Sequence, residues 1–390
     1  MLCALPALLA AALPAAATPY MTVDVQNGRV LAHNQAFDRW YPASLTKMMT
    51  AYVTFQALQA GKIRLDTVIN LSPQAAKVVP SRSGWRPGST LTLDTALTVM
   101  LVKSANDMAN AIAEAVGGTQ ADFVALMNAQ TQRLGMSGTH YANPSGLPDP
   151  DNYSDARDIA VLAVQMRRDF PQYSHYFAIP AIDFGKGKPV PNSNNLIGRF
   201  DGADGMKTGF ICASGFNLVA SATRGGRTVI AVVLGADRVD IREGMAAKLL
   251  NDGFNTAGSP QLTLASLRPY GDKQAEASDL REQICTLEAG KERLQHRDKK
   301  GHTIFDSPLI AERNENPPSV AVRPIFEPKP APAPAKAKAK KAGAKAAQAG
   351  GEAKAHKPAK TGPAVKKAKA EKPAPAVKSR PPLPAAAPAQ

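Results

Sequence analysis

Cysteine is nearly absent: three residues in 390, none in a C-x-x-C pair, which excludes a disulfide-dense scaffold and a multi-cysteine zinc site. Histidine is as sparse. His33, His140, His175, His296, His302 and His356 are scattered and form no H-E-x-x-H, so no metal and no cofactor is expected. No G-x-S-x-G is present, and His140, His175 and Asp155 read as ordinary polar or capping residues rather than as parts of a triad. Composition also excludes collagen-like, coiled-coil and polytopic membrane classes. No Lys or Arg precedes Arg29, and no Phe, Trp or Tyr follows Pro328.

What is present is enough apolar material for a sizeable core, 44% of the chain. The net charge of +15 is unevenly placed. Residues 329–390 hold 14 Lys, one Arg and two Glu, a net +13, which leaves +2 for the first 328 residues. That tail is almost entirely Ala, Lys, Pro and Gly, so it has nothing with which to bury a core and is expected to be disordered. At the other end, residues 1–17 are apolar and finish in Ala15-Ala16-Ala17, which fits a signal-peptide cleavage site. Pro6 and Pro14 argue against a core helix there. Export to the periplasm or cell envelope is therefore expected, and Cys3 would leave with the signal. Cys212 and Cys285 then either pair in an oxidising compartment or stay as two buried thiols.

Between these ends the hydrophobic period changes twice. Met21–Val25 and Arg29–Ala32 read as strands joined by Asn27-Gly28, the strongest short hairpin signal. Helical spacing follows over Ser44–Ala60, Leu91–Val102, Asp107–Val116, Ala121–Leu134 and Ser154–Met166, the last with Ser154 as its cap. Lys207–Ala213, Phe216–Thr223 and Thr228–Leu234 return to a strand pattern, with Gly225-Gly226 as a tight turn. Strands, a helical block and strands again predict an α/β fold, one sheet assembled from both ends of the core with helices packed on it. Residues 254–328 are a partly helical extension in which Ser278–Gln295 reads as a polar helix, and no final amphipathic helix or membrane anchor is evident.

Three short patterns carry chemistry. Ser44-Leu45-Thr46-Lys47 is the sole S-x-x-K, and residues three apart on a helix share a face. At a helix start the free N–H groups favour developing negative charge, and a lysine kept neutral by burial or by a second cation can take the serine proton. Ser104-Ala105-Asn106 falls between two helical runs, where a hydroxyl can relay protons and an amide can orient the lysine. Ser193-Asn194-Asn195 matches the same S-x-N pattern. Lys207-Thr208-Gly209 opens a strand and offers charge, a hydroxyl and close backbone approach. A second copy of this tripeptide, Lys360-Thr361-Gly362, lies in the tail.

In this order the patterns resemble those of the D-alanyl-D-alanine carboxypeptidases, the low-molecular-mass penicillin-binding proteins of serine peptidase family S11. Tyr41-Pro42-Ala43, Leu134-Gly135-Met136, Asn143–Leu147, Asp204–Gly209 and Gly215–Ala222 extend the resemblance over roughly residues 18–253. It implies a β-lactamase/transpeptidase-like fold with a helical subdomain. It also implies an acyl-enzyme on Ser44 with the penultimate D-Ala of a peptidoglycan stem peptide, and inhibition by β-lactams. Lys47 would be the base, Ser104 the proton donor to the leaving amine, and Asn106 the orienting amide. Lys207, Thr208 and Gly209 would receive the terminal carboxylate, and the backbone N–H groups of Ser44 and Phe210 would form the oxyanion hole.

Other functions share parts of this pattern. A class A β-lactamase needs a deacylating glutamate, but between Asn106 and Lys207 the only Glu is Glu114, inside a helical run, and Ala105 replaces the Asp of S-D-N. An endopeptidase cutting D-Ala cross-links would use the same residues. The tail alone would suit a polyanion binder such as an anionic envelope surface, though its lack of aromatics and the expected export make nucleic acid an unexpected partner.

Overall fold

The structure, a computed structural model, describes residues 18–185 and 187–330. The expected export segment 1–17 and the lysine-rich tail from residue 331 onward lie outside the described residues.

The chain opens with the expected hairpin, Tyr20–Asp24 (β1) against Val30–Asn34 (β2), with Gly28 at φ +71° in the turn. A 3-10 turn over Ala43–Leu45 leads into Thr46–Gln59 (α1). Val68–Asn70 (β3), Pro73–Ala76 (α2) and Thr90–Thr92 (β4) follow. Then come the helices Leu93–Val102 (α3), Asn106–Gly117 (α4), Gln120–Arg133 (α5) and Ala156–Asp169 (α6). His175–Ala178 (α7), Ala181–Asp183 (β5) and Val190–Pro191 (β6) lead back to the sheet. Ala203–Ile211 (β7), Gly215–Arg224 (β8) and Arg227–Ala236 (β9) complete it, and Gly225 and Gly226, both at positive φ, close the β8–β9 hairpin. Val239–Phe254 (α8), Arg281–Ile284 (α9), Leu287–Gln295 (α10) and Ser319–Ala321 (β10) end the described chain.

The main sheet has the order β2-β1-β9-β8-β7, and all its pairings are antiparallel. The first two strands therefore join the last three, as the change of period predicts. Alternating residues of β8 and β9 feed two cores. Val219, Ile230 and Val232 pack toward α1, α3, α4 and α6, while Leu218, Ala220 and Val233 pack toward Ala246, Ala247 and Leu250 of α8. Nearly every residue of α1 is buried, which makes it the central helix rather than an amphipathic surface one. Its buried hydroxyls are satisfied: Thr50 donates to Pro144 O at 2.6 Å and Thr54 to Thr50 O at 2.7 Å.

Several boundaries differ from expectation. Helix α6 is capped by Asp155, whose carboxylate accepts from the Asp158 N–H at 2.7 Å, whereas the Ser154 hydroxyl pairs with Thr139. The run at Leu91 begins as strand β4, and its helix starts at Leu93 with the Thr92 hydroxyl accepting from Thr95 N–H. Strand β7 starts at Ala203 and stops at Ile211, because the chain turns at Cys212–Ser214. The expected polar helix over 278–295 is two short ones broken at Cys285. Cys285 is disulfide-bonded to Cys212, with Cα atoms 5.6 Å apart, which decides between the two readings of the thiols. Helix α8 has no counterpart in the sequence reading.

Residues 255–330 run over the surface of the same unit, anchored by single buried side chains, Leu264, Leu280, Ile284, Ile310 and Val322. Backbone bonds tie this segment down at Leu264 N–H to Gly28 O, Leu280 N–H to Ala213 O and Ile325 N–H to Thr90 O. Among the described residues no helix is long and apolar enough to cross a membrane.

Candidate active site

Ser44 sits in the 3-10 turn that enters α1, behind Ala43, which is held at φ +49°. This turn is fixed from two sides. From β8, the Asn217 amide donates to Tyr41 O at 3.0 Å and Pro42 O at 3.3 Å, and its oxygen accepts from Gly235 N–H at 2.9 Å. From the other side, Gly146 lies so close that a Cβ there would overlap the Ala43 carbonyl.

Lys47, one helical turn on, is completely buried. Its Nζ lies 3.0 Å from Ser44 Oγ, 2.7 Å from Asn106 Oδ1 and 2.5 Å from Ser145 O. Asn106 is the first residue of α4, and its amide nitrogen donates to Val79 O at 3.0 Å, which turns Oδ1 toward the lysine. Ser145 belongs to a loop folded around Asn143, whose Oδ1 accepts from the N–H groups of Ser145, Gly146 and Leu147. The Asn143–Leu147 landmark thus serves to present one carbonyl oxygen to Lys47. Burial first, and the Lys207 charge second, hold the Lys47 amine well below the usual lysine range, while Asp107 pulls the other way.

Lys207 lies on β7, also buried, and donates to Thr208 O at 2.9 Å. Burial and the neighbouring Arg242 push it down to about 7. Gly209 is where β7 meets the Ser44 turn: an added Cβ would stand 2.7 Å from Pro42 O and 3.1 Å from Ser44 N. A cleft of about 790 Å³ opens over this junction, bordered by Ser44, Ser104, Asn106, Thr208, Gly209 and Phe210. Lys47 and Lys207 are buried beside these lining residues. Ser104, at φ +62°, occupies the break between α3 and α4. The three sequence patterns, distant in the chain, therefore meet at one cleft.

Residues beyond the three patterns of the resemblance also border it. The second S-x-N pattern contributes Ser193 and Asn195, and α8 brings Arg242. The Arg242 guanidinium is buried and held by Glu243 at 2.5 and 2.7 Å, and Glu243 also accepts from the Asn195 amide at 2.9 Å. Lys360-Thr361-Gly362 lies outside the described residues. Among the described residues no group of three His, Cys, Asp or Glu side chains is placed to hold a metal ion.

Comparison with known proteins gives one answer. A family model described as Peptidase_S11, D-alanyl-D-alanine carboxypeptidase, matches residues 8–238. D-alanyl-D-alanine carboxypeptidase DacC of Escherichia coli K12 is 36% identical over 270 residues, covering 66% of this chain and 67% of its own. The crystal structure of penicillin binding protein 5 from Haemophilus influenzae superposes with a TM-score of 0.58 at 34% identity, over 61% of this chain and 70% of that one. Penicillin-Binding Protein D2 from Listeria monocytogenes, solved in an ampicillin-bound form, gives a TM-score of 0.55 at 30% identity, over 60% of this chain and 96% of that one. A matching order of motifs, a shared sheet-and-helix architecture and a family match over more than half its length agree: the chain belongs to the D-alanyl-D-alanine carboxypeptidase family of serine peptidases.

Proposed function

We propose that Ser44 is the nucleophile of this serine-type D-alanyl-D-alanine carboxypeptidase, and that it removes the terminal D-alanine of a peptidoglycan pentapeptide through an acyl-enzyme. The observation that carries the assignment is the environment of Lys47. Two of its three neighbours, Asn106 Oδ1 and Ser145 O, can only accept hydrogen bonds. A neutral amine spends both hydrogens on them, and its lone pair is left facing Ser44 Oγ. The lysine then takes the serine proton as Oγ attacks the penultimate D-Ala carbonyl. Ser104 passes a proton to the leaving nitrogen, and water later hydrolyses the ester.

Lys207 and Thr208 hold the terminal carboxylate, and Arg242 adds positive potential from α8. Gly209 lets β7 approach the Ser44 turn closely, and the N–H groups of Ser44 and Phe210 face the oxyanion. β-Lactams enter the same cleft and acylate Ser44. With Glu114 on α4 as the only glutamate between Asn106 and Lys207, this acyl-enzyme lacks the deacylating carboxylate of a class A β-lactamase. The disulfide supports an exported enzyme working in the periplasm or envelope. In that setting the lysine-rich tail acts as a spacer or an electrostatic contact to anionic envelope surfaces.

Mass spectrometry of the protein after exposure to penicillin tests the assignment. One adduct is expected on the Ser44 peptide, persisting through a long chase and absent in Ser44→Ala. Labelling of the variant, or rapid turnover of the drug, refutes it.

A further inference from the structure

The far end of the cleft is built by a segment beyond the residues matched by the family, and it carries a cation. Strand β7 gives the cleft a direction. Thr208 lies at the carboxylate clamp, Gly209 lies beside Ser44, and Phe210, Ile211, Cys212 and Ala213 continue along the cleft wall. A substrate whose terminal carboxylate is clamped at Thr208 must send its acyl arm past Phe210 toward Ala213. Two attachments bring the C-terminal segment to that point: the Leu280 N–H donates to Ala213 O at 3.0 Å, and Cys285 is bonded to Cys212. Between them stands Arg281, which lines the same cleft as Ser44, together with Thr303.

The Arg281 side chain is 62% exposed, and its ion pair is with Asp279, a neighbour two residues away at 3.2 Å. Such exposed pairs are weak, so the fork is available to a better partner. From Gly209 to Ala213 the chain advances four residues, on the order of 10 Å, which an extended peptide covers in about three residues. The clamp itself accounts for Lys207 and Arg242. Arg281 is a further cation, placed where the second or third residue of a stem peptide would lie.

We infer that Arg281 is a specificity-determining residue that binds a carboxylate on the acyl arm of the stem peptide, two to three residues upstream of the cleaved bond. The inference rests on the reading of Ser44 and the Lys207–Thr208 clamp given above. Two groups carry this chemistry, the α-carboxylate of a γ-linked D-glutamate and the side-chain carboxylate of a diaminopimelate-type third residue.

The full chain, with its disulfide intact, is assayed for D-Ala release from a pentapeptide bearing both carboxylates and from two versions, each with one carboxylate amidated. Diacetyl-lysyl-D-Ala-D-Ala, with neither carboxylate, is the reference. Amidating the recognised group is expected to lower kcat/KM about twofold to fivefold, the strength of an exposed ion pair. Amidating the other group leaves kcat/KM unchanged, which distinguishes the two sources. In Arg281→Gln all three pentapeptides converge, with the loss in KM, while the reference substrate and penicillin acylation are unaffected. Equal rates for all three in the wild type, or an equal fall on every substrate in Arg281→Gln, overturns the inference. Failure of the underlying site reading looks different: wild-type protein would give no Ser44 adduct with penicillin and no release from the reference peptide, and the Arg281 assignment would fall with it.

Discussion

Lys47 Nζ stands 3.0 Å from Ser44 Oγ in a pocket that leaves the amine no water. Burial and the Lys207 charge both favour its neutral form. A base whose folded pKa is depressed works above that pKa and is lost as pH falls through it. The rate of penicillin acylation is therefore expected to hold on the alkaline side of the lowered Lys47 pKa and to drop about tenfold per pH unit below it. Lys47→Met, which keeps the bulk but has no basic amine, removes a general base typically worth about 10²–10⁴-fold, and it removes that acid limb as well. An unchanged acid limb in the variant would assign the titration to another group.

Asn106 provides a sharper test of the same amine. Its Oδ1 is 2.7 Å from Lys47 Nζ, so Asn106→Asp places a carboxylate where an amide oxygen was. An opposite charge at that range favours the protonated lysine and should raise its pKa by about 1–3 units. The acid limb of acylation is expected to move to higher pH than in the wild type, with the rate recovering toward alkaline pH. A variant that is uniformly slow at every pH would show that Asn106 acts on packing alone.

The reach of the sequence can be judged residue by residue. Ser44 and Lys47 are three apart on one helix, a relation local spacing encodes, and the hairpins announce themselves through Asn27-Gly28 and Gly225-Gly226. Ser145 lies in the Asn143–Leu147 landmark, but it reaches Lys47 through a backbone carbonyl, so its side chain gives no sign of that role. Arg242 was missed with its helix. The run Val239–Phe254 buries an Arg–Glu pair and carries Gly244 and Gly253, which blurs the apolar stripe that would announce α8. Arg281 was hidden for another reason. Residues 255–330 have widely spaced buried anchors instead of a period, and they take their order from the surface they cover and from a disulfide that the sequence left undecided.

Two glycines with different surroundings separate strain from blockage. Gly61 follows α1 at φ +67° with open space around it, so Gly61→Ala is expected to cost about 1 kcal/mol of stability and leave acylation untouched. At Gly209 an added Cβ meets the Pro42 carbonyl at 2.7 Å and the Ser44 backbone nitrogen at 3.1 Å, neither of which can swing away. Gly209→Ala should part β7 from the nucleophile turn and slow acylation on the order of 10²–10³-fold, the cost of a lost oxyanion donor. Denaturation midpoints together with acylation rates check both. Equal activity in the two variants would mean that the β7–Ser44 contact does not set the oxyanion geometry.

Lys207 should leave its mark on stability. Burial and Arg242 place it at about 7 in the folded protein, against about 10.4 for an unfolded chain. Between these values the unfolded state holds a proton that the folded state has released, so the free energy of unfolding, and with it stability, rises with pH through that window. Lys47, also depressed, contributes in the same direction. Lys207→Met is expected to be more stable than wild type near pH 7 and to gain less on going to pH 9.5. Removing its charge also relieves the second cause of the low Lys47 pKa, so the acid limb of acylation should move to higher pH in the same variant. Urea denaturation at the two pH values, together with the acylation profile, decides it. Parallel stability curves for wild type and variant would mean that Lys207 keeps its proton in the folded state throughout.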